Sequence, residues 1–181
     1  MPTRRHLDLL QITGPQDVTP ALRRELIDCW IEVTNSGGAA GFPFPPVNDH
    51  KVAPATDNLI DSLDPEHNRV LLARSGDALA GWVLLHRAHN PLIAHWGTVK
   101  HLQTRTAHRN QGIASALMRR LQQIARDELG LEQLHLAARG GTGLEAFYAR
   151  LGWREVGRWP NALRLAGDDT RDEILMVLTP L

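Results

Sequence analysis

Apolar residues recur along this chain at two periods, and the switches between them mark its elements. His6 to Ile12 alternates as a first strand, which Gly14-Pro15 breaks. Thr19-Pro20 then reads as an N-cap followed by proline in the first helical position, opening a helix from Pro20 to Val33. Leu22, Leu26, Cys29, Trp30 and Val33 share one face of it. A long loop of glycines and prolines runs from Asn35 to Pro46 and carries Phe42 and Phe44, a candidate substrate-side lid or a surface connection with two packed aromatics. A short helix is predicted over Asp57 to Leu63. Two strands, Asn68 to Arg74 and Ala78 to Arg87, flank the turn signal Ser75-Gly76-Asp77.

The next stretch, His95 to Met118, organises the rest. Its first half reads as a strand with Trp96, Val99, Leu102 and Thr104 among polar neighbours. Its second half opens an amphipathic helix bearing Ile113, Leu117, Leu121, Ile124 and Leu129, with Gly130 as the residue past its end. Between them lies Arg109-Asn110-Gln111-Gly112-Ile113-Ala114. The first N–H groups of a helix lack intrahelical partners and point out of its end, where the helix dipole adds partial positive charge. Gly112 has no Cβ, so an anion can approach the backbone, which makes this strand–turn–helix a candidate phosphate or pyrophosphate site. A largely apolar strand over Leu131 to Ala138, a helix over Thr142 to Leu151, and strands over Trp153 to Trp159 and Glu173 to Leu178 complete the chain. Arg164 to Arg171 reads as a polar loop.

Composition narrows the classes. The 181 residues suit a single domain over 1–181. Acidic and basic side chains balance at 20 each, so no nucleic-acid footprint is expected. The single cysteine, Cys29, fits a reducing cytoplasm, and its place on the apolar helix face favours a buried thiol over a nucleophile. No segment has the length of a membrane span, and the N-terminal apolar run, interrupted by Asp8, is too short for a signal sequence.

The spacing R/Q-x-x-G-x-G/A at Arg109 to Ala114 is that of the GNAT N-acetyltransferase superfamily. A second motif, A-x-x-x-Y-x-x-x-G-F, is matched by Leu144, Tyr148, Gly152 and Trp153. With both motifs in order, the chain resembles this family over nearly its whole length. Ser36 to Phe42 and the tail after Trp159 are similar to the tabtoxin-resistance type of small-molecule acetyltransferase. The resemblance implies an α/β (α+β) fold: a mixed, mostly antiparallel sheet of about seven strands, splayed in the middle, with about four helices. It implies acetyl-CoA as cofactor and direct acetyl transfer to an amine. The backbone of Arg109, Asn110, Gln111, Gly112, Ile113, Ala114 and Ser115 would then bind pyrophosphate. Leu102 and Thr104 would pair with the pantetheine arm, the Leu102 N–H would polarise the thioester carbonyl, and Leu136 would line the gap. Tyr148 would contact the cofactor as general acid for the leaving thiolate.

Two positions depart from the family. The glutamate that many members use as a base falls at Thr98, and the asparagine frequent near the last helix falls at Gly141. His101 and His135 are the candidate replacements, against the alternatives of structural histidines or no protein base at all. His95, His101 and His108 match no compact ligand motif, so no metal is expected. Arg119 and Arg120 are candidates for the CoA 3′-phosphate or for a solvated helix face. The expected acceptor is a small-molecule amine. A protein or peptide N-acetyltransferase and a non-catalytic acyl-CoA sensor stand as alternatives, and the exposed last strand is a candidate homodimer edge.

Overall fold

Helices α1 (Pro20–Asn35) and α2 (Asp49–Asp61) present one apolar surface, and α3 (Ile113–Gln123) and α4 (Leu144–Ala149) another. A sheet between them gives one face to each pair. The computed structural model describes residues 7–38 and 41–181, so His6, Ala39 and Ala40 lie outside the described residues. The strands are β1 (Leu7–Ile12), β2 (Asn68–Ser75), β3 (Ala78–Arg87), β4 (Trp96–Thr104), β5 (Gln133–Arg139), β6 (Arg154–Arg164) and β7 (Thr170–Leu178). They form one seven-stranded sheet in the order β1-β2-β3-β4-β5-β7-β6. The β4–β5 pair is parallel and every other pair is antiparallel. The expected mixed sheet and four helices are therefore present.

Alternation along the strands sorts side chains to the two sides. Val83, Leu85, Val99, Leu134, Leu136 and Ile174 pack with Leu117 and Leu121 of α3 and with Tyr148 of α4. On the other face, Val70, Leu72, Trp82 and Leu84 pack against Leu26, Ile27 and Trp30 of α1 and Val52 of α2. Cys29 is fully buried there, and burial pushes its thiol up to about 12, which keeps it protonated and inert at neutral pH.

Four elements differ from the sequence expectation. Helix α2 begins at Asp49, well before Asp57, and runs through Pro54. Pro54 and His50 are both exposed, so water can satisfy the His50 carbonyl that the proline leaves without a donor. Strand β6 continues past Trp159 and Pro160 to Arg164, leaving a shorter connection than the predicted polar loop. It tolerates the proline because it is an edge strand, and a bulge takes up Asn161, whose φ is +53°. The last strand, β7, is not an exposed edge; it lies between β5 and β6. Helix α3 keeps α-helical geometry only to Gln123, after which Ile124–Glu128 winds as a π-helical turn before Gly130.

Candidate functional site

The parallel pairing of β4 and β5 stops early. Trp96, Gly97 and Thr98 face Gln133, Leu134 and His135, and beyond Thr98 no further pair forms. The two strands splay, and the opening is a cleft of about 1110 Å³ lined by Thr98 to Thr104 on one side and Leu136 to Arg139 on the other. Backbone groups that a continuous ladder would consume face this gap.

On its other edge β4 is irregular too. Lys100 pairs with Leu84 and Gln103 with Trp82, so His101 and Leu102 together oppose the single residue Val83. His101 has φ +57°, the left-handed conformation such a bulge demands. Leu102 is thereby taken out of register with β3, inside the cleft wall. Val99 and Leu102 stand three residues apart with Lys100 and His101 both polar between them, a one-residue slip in the alternation that coincides with the bulge.

At the end of β4 the chain makes a single 3₁₀ turn, Thr106–His108, and reaches Arg109. Asn110 has φ +60° and Gly112 has φ +79°, and helix α3 starts at the next residue. Among the described residues, the N–H groups from Asn110 to Ser115 find no acceptor, the first helical donor being Ala116, bonded to the Gly112 carbonyl at 2.9 Å. A Cβ built on Gly112 meets no atom within 4 Å, so the cradle is open. Unpaired donors, a helix N-terminus and free space together make an anion site. Contacts from α1 and from Ser36 just past its end hold this turn. Glu32 accepts from the Thr106 N–H and hydroxyl, and Arg109 Nη2 donates to Ser36 Oγ at 2.7 Å.

Tyr148 closes the cleft floor from α4. Its ring is buried between Phe147 and Trp153, at 5.1 and 6.0 Å. Its hydroxyl has no hydrogen bond among the described residues, and burial raises its pKa to about 12. A phenol so placed retains its proton throughout the neutral range.

The histidines separate. His101 lines the cleft but packs at a tilt on Trp30, with ring centroids 4.9 Å apart. His135 does not line it: the ring stacks on Trp96 at 4.1 Å and Nε2 lies 3.0 Å from Gln133 Oε1. Burial, and secondarily His95, lowers its pKa. Among the described residues no three His, Cys, Asp or Glu side chains gather as an ion-holding group. Arg120 reaches toward Glu128, at 3.3 Å, and neither it nor the exposed Arg119 lines the cleft.

The outer rim of the cleft is only partly legible in the sequence. Phe42 packs edge-on against Trp30 at 5.0 Å, while Phe44 is half-exposed and donates its N–H to the Leu165 carbonyl at 2.9 Å. Thus the α1–α2 loop is fastened to the β6–β7 hairpin across the cleft. Arg139 and Glu173 also line it, cross-strand neighbours on β5 and β7. Neither carries a motif, and only the folded register brings them together.

Residues 21–153 match the Acetyltransferase (GNAT) family. No curated protein matches the chain. An acetyltransferase of the GNAT family from Streptococcus pneumoniae superposes with a TM-score of 0.71 at 16% identity, covering 96% of this chain and 99% of that one. The ribosomal-protein-S18-alanine N-acetyltransferase of Escherichia coli gives 0.69 at 16% identity, covering 97% and 94%. An acetyltransferase from Salmonella typhimurium, solved with its cofactor acetyl-CoA, gives 0.66 at 15% identity, covering 96% and 93%. At such identities the likeness is one of fold. No described helix is long and apolar enough to cross a membrane.

Proposed function

The chain belongs to the acetyltransferase (GNAT) family, whose cofactor is acetyl-CoA, and from that premise we propose that it acetylates the primary amine of a small molecule. The observation that carries this reading is the joining of an open donor cradle at Asn110 to Ser115 with the splayed gap between β4 and β5. The cradle suits a pyrophosphate and the gap suits an extended arm, so the residues present fit the cofactor.

In this reading the backbone of Arg109 to Ser115 holds the pyrophosphate, and Leu102 and Thr104 offer backbone groups to the pantetheine arm. Acetyl-CoA supplies an acetyl group already activated as a thioester. The Leu102 N–H, re-aimed by the bulge, serves as the donor to the carbonyl oxygen. Tyr148 holds a proton on Oη for the sulfur leaving group. Thr98 cannot accept the acceptor's proton, and His101 is the imidazole nearest to that task in the cleft. A small acceptor is favoured by the walls: Phe42 and Pro43 of the α1–α2 loop and Leu163 to Leu165 of the β6–β7 hairpin both line the cleft, and the Phe44–Leu165 bond fastens the two segments together.

The test is calorimetric titration of acetyl-CoA into the wild type and into Gly112→Glu, with circular dichroism confirming that both are folded. Binding to the wild type and its loss in the variant are expected. Mass spectrometry over a panel of small amines and N-terminal peptides then reads the acceptor. Acetylation of peptides alone would replace the small-molecule reading, and binding without any transfer would make the chain an acyl-CoA sensor.

A further inference from the structure

Arg139 ends β5 at the cleft, directly opposite Glu173 of β7 in the antiparallel register. Register partners share a sheet face, so the two side chains leave the sheet on the same side, as does Arg171 two residues before Glu173. Arg139 nevertheless makes no ion pair within 4 Å among the described residues, and Glu173 makes neither an ion pair nor a side-chain hydrogen bond among them. The carboxylate that acts on the Arg139 charge is Asp169, and Arg171 occupies that one as a fork, Nε to Oδ1 at 2.6 Å and Nη2 to Oδ2 at 3.2 Å.

What remains to Arg139 is little. Its Nη1 makes one long bond, 3.4 Å, to the Gly38 carbonyl, and its Nε is sealed from solvent with no acceptor. A guanidinium carries five donors in a planar fork suited to a carboxylate. Arg139 is half-buried, and partial burial, then Arg171, lowers its pKa, with Asp169 opposing. The residue does not serve the core: its aliphatic neighbours Leu136 and Ala138 point to the opposite face. Arg139 lines the same cleft as His101 and Leu102 of the β4 bulge, in the gap that opens beyond Thr98 and His135. An anion bound there lies in the cleft whose other wall offers Leu102.

We propose that the acceptor is an amino-acid-like amine, with a carboxylate only a few atoms from its nitrogen, and that Arg139 binds this carboxylate, leaving the nitrogen free to turn toward Leu102 on the other wall of the cleft. This rests on the small-molecule acetyltransferase reading. A carboxylate matches what Arg139 lacks: an acceptor for its unpartnered donors and a counter-charge that neither Glu173 nor Asp169 supplies within ion-pair distance.

The experiment compares initial rates of CoA release for amino acids and their decarboxylated amines, for example phenylalanine against phenethylamine and leucine against isopentylamine, within a panel of all the common amino acids. It is run with wild type, Arg139→Gln and Arg139→Lys, and acetyl-CoA affinity is measured for each by calorimetry. At least one acid should exceed its amine by about tenfold or more in kcat/KM, the scale of one well-made charged contact. Arg139→Gln should collapse that ratio toward one through KM, leaving acetyl-CoA affinity unchanged, and Arg139→Lys should restore part of it. Equal turnover of the carboxylate-free amines, an equal effect of Arg139→Gln on both partners, or acetyl-CoA binding with no acid acetylated would each overturn the proposal. Failure of the wild type to bind acetyl-CoA would instead overturn the reading beneath it.

Discussion

Glu32 of α1 accepts two hydrogen bonds from one residue, Thr106, at 2.7 Å from its N–H and 2.6 Å from its hydroxyl. Arg105 adds a contact to the other carboxylate oxygen at 3.0 Å. Burial raises the Glu32 pKa, but the Thr106 and Arg105 contacts outweigh it and the net shift is downward. The carboxylate thus ties α1 to the turn that leads into the donor cradle.

Glu32→Ala should consequently loosen that turn. Hydrogen bonds to a charged group are each worth about 1.5–3 kcal/mol, so part of one lost from cradle ordering weakens acetyl-CoA binding by about tenfold. Calorimetric titration checks this. Glu32→Gln, which keeps an acceptor for Thr106, should fall between alanine and wild type. Equal affinity in all three would show that the tie does not position the cradle.

Tyr148→Phe removes only a hydroxyl that has no partner among the described residues, and it keeps the ring packed beside Trp153. Stability and acetyl-CoA affinity should therefore hold, while kcat falls by about 10²-fold, the lower end for a positioned general acid. Single-turnover kinetics separates this from slow product release. An unchanged chemical step would remove Tyr148 from the mechanism.

Much of this architecture is readable in the residues themselves. Long periodic segments such as α1 and α3 announce their buried faces, and the turn at Gly112 needs only local chemistry. Legibility fails where a local rule meets a tertiary exception. Pro54 and Pro160 look like terminators, yet one sits on the wet side of a helix and the other on a sheet edge, where the missing N–H is harmless. The bulge at His101 and Leu102 leaves only a single slip in the alternation, two polar residues between Val99 and Leu102, which by itself does not tell a bulge from the end of a strand. Arg139, Glu173 and Glu32 give no signal because their significance lies in who stands beside them. Glu32 and Thr106 are 74 residues apart in the chain, and no spacing rule joins them.

Gly81 of β3 tests the other side of the bulge. A Cβ there would overlap the Gln103 carbonyl oxygen, a backbone atom that cannot swing aside. Gly81→Ala must push β3 and β4 apart at the cleft wall, and overpacking of this kind costs about 1–3 kcal/mol. Each kcal/mol should lower Tm by about 2–4 °C in a chain of this size. Calorimetric melting reads it, and an unshifted Tm would mean that the strands part without penalty.

Acid should destabilise the fold in two separate windows. Burial first, and then Lys100, His89 and His67, lowers the pKa of His86, whose Nδ1 lies 2.8 Å from Asn68 Oδ1. His135 is lowered in the same sense, by burial and then by His95. A group whose folded pKa lies below its unfolded value binds its proton more readily when unfolded. The stability it confers is complete above the unfolded value, about 6.5 for histidine, and is lost as pH falls toward the folded value. Glu32 follows the same rule lower down, its contribution fading only below the ordinary glutamate range. Melting temperature should therefore be flat well above the ordinary histidine value, decline as pH falls below about 6.5, and fall again once pH drops below the ordinary glutamate value of about 4.3. His86→Asn and His135→Asn should flatten the upper step and leave the lower one, whereas Glu32→Gln should do the reverse. A melting profile that rose on acidification through the upper window would contradict the sign of both histidine shifts.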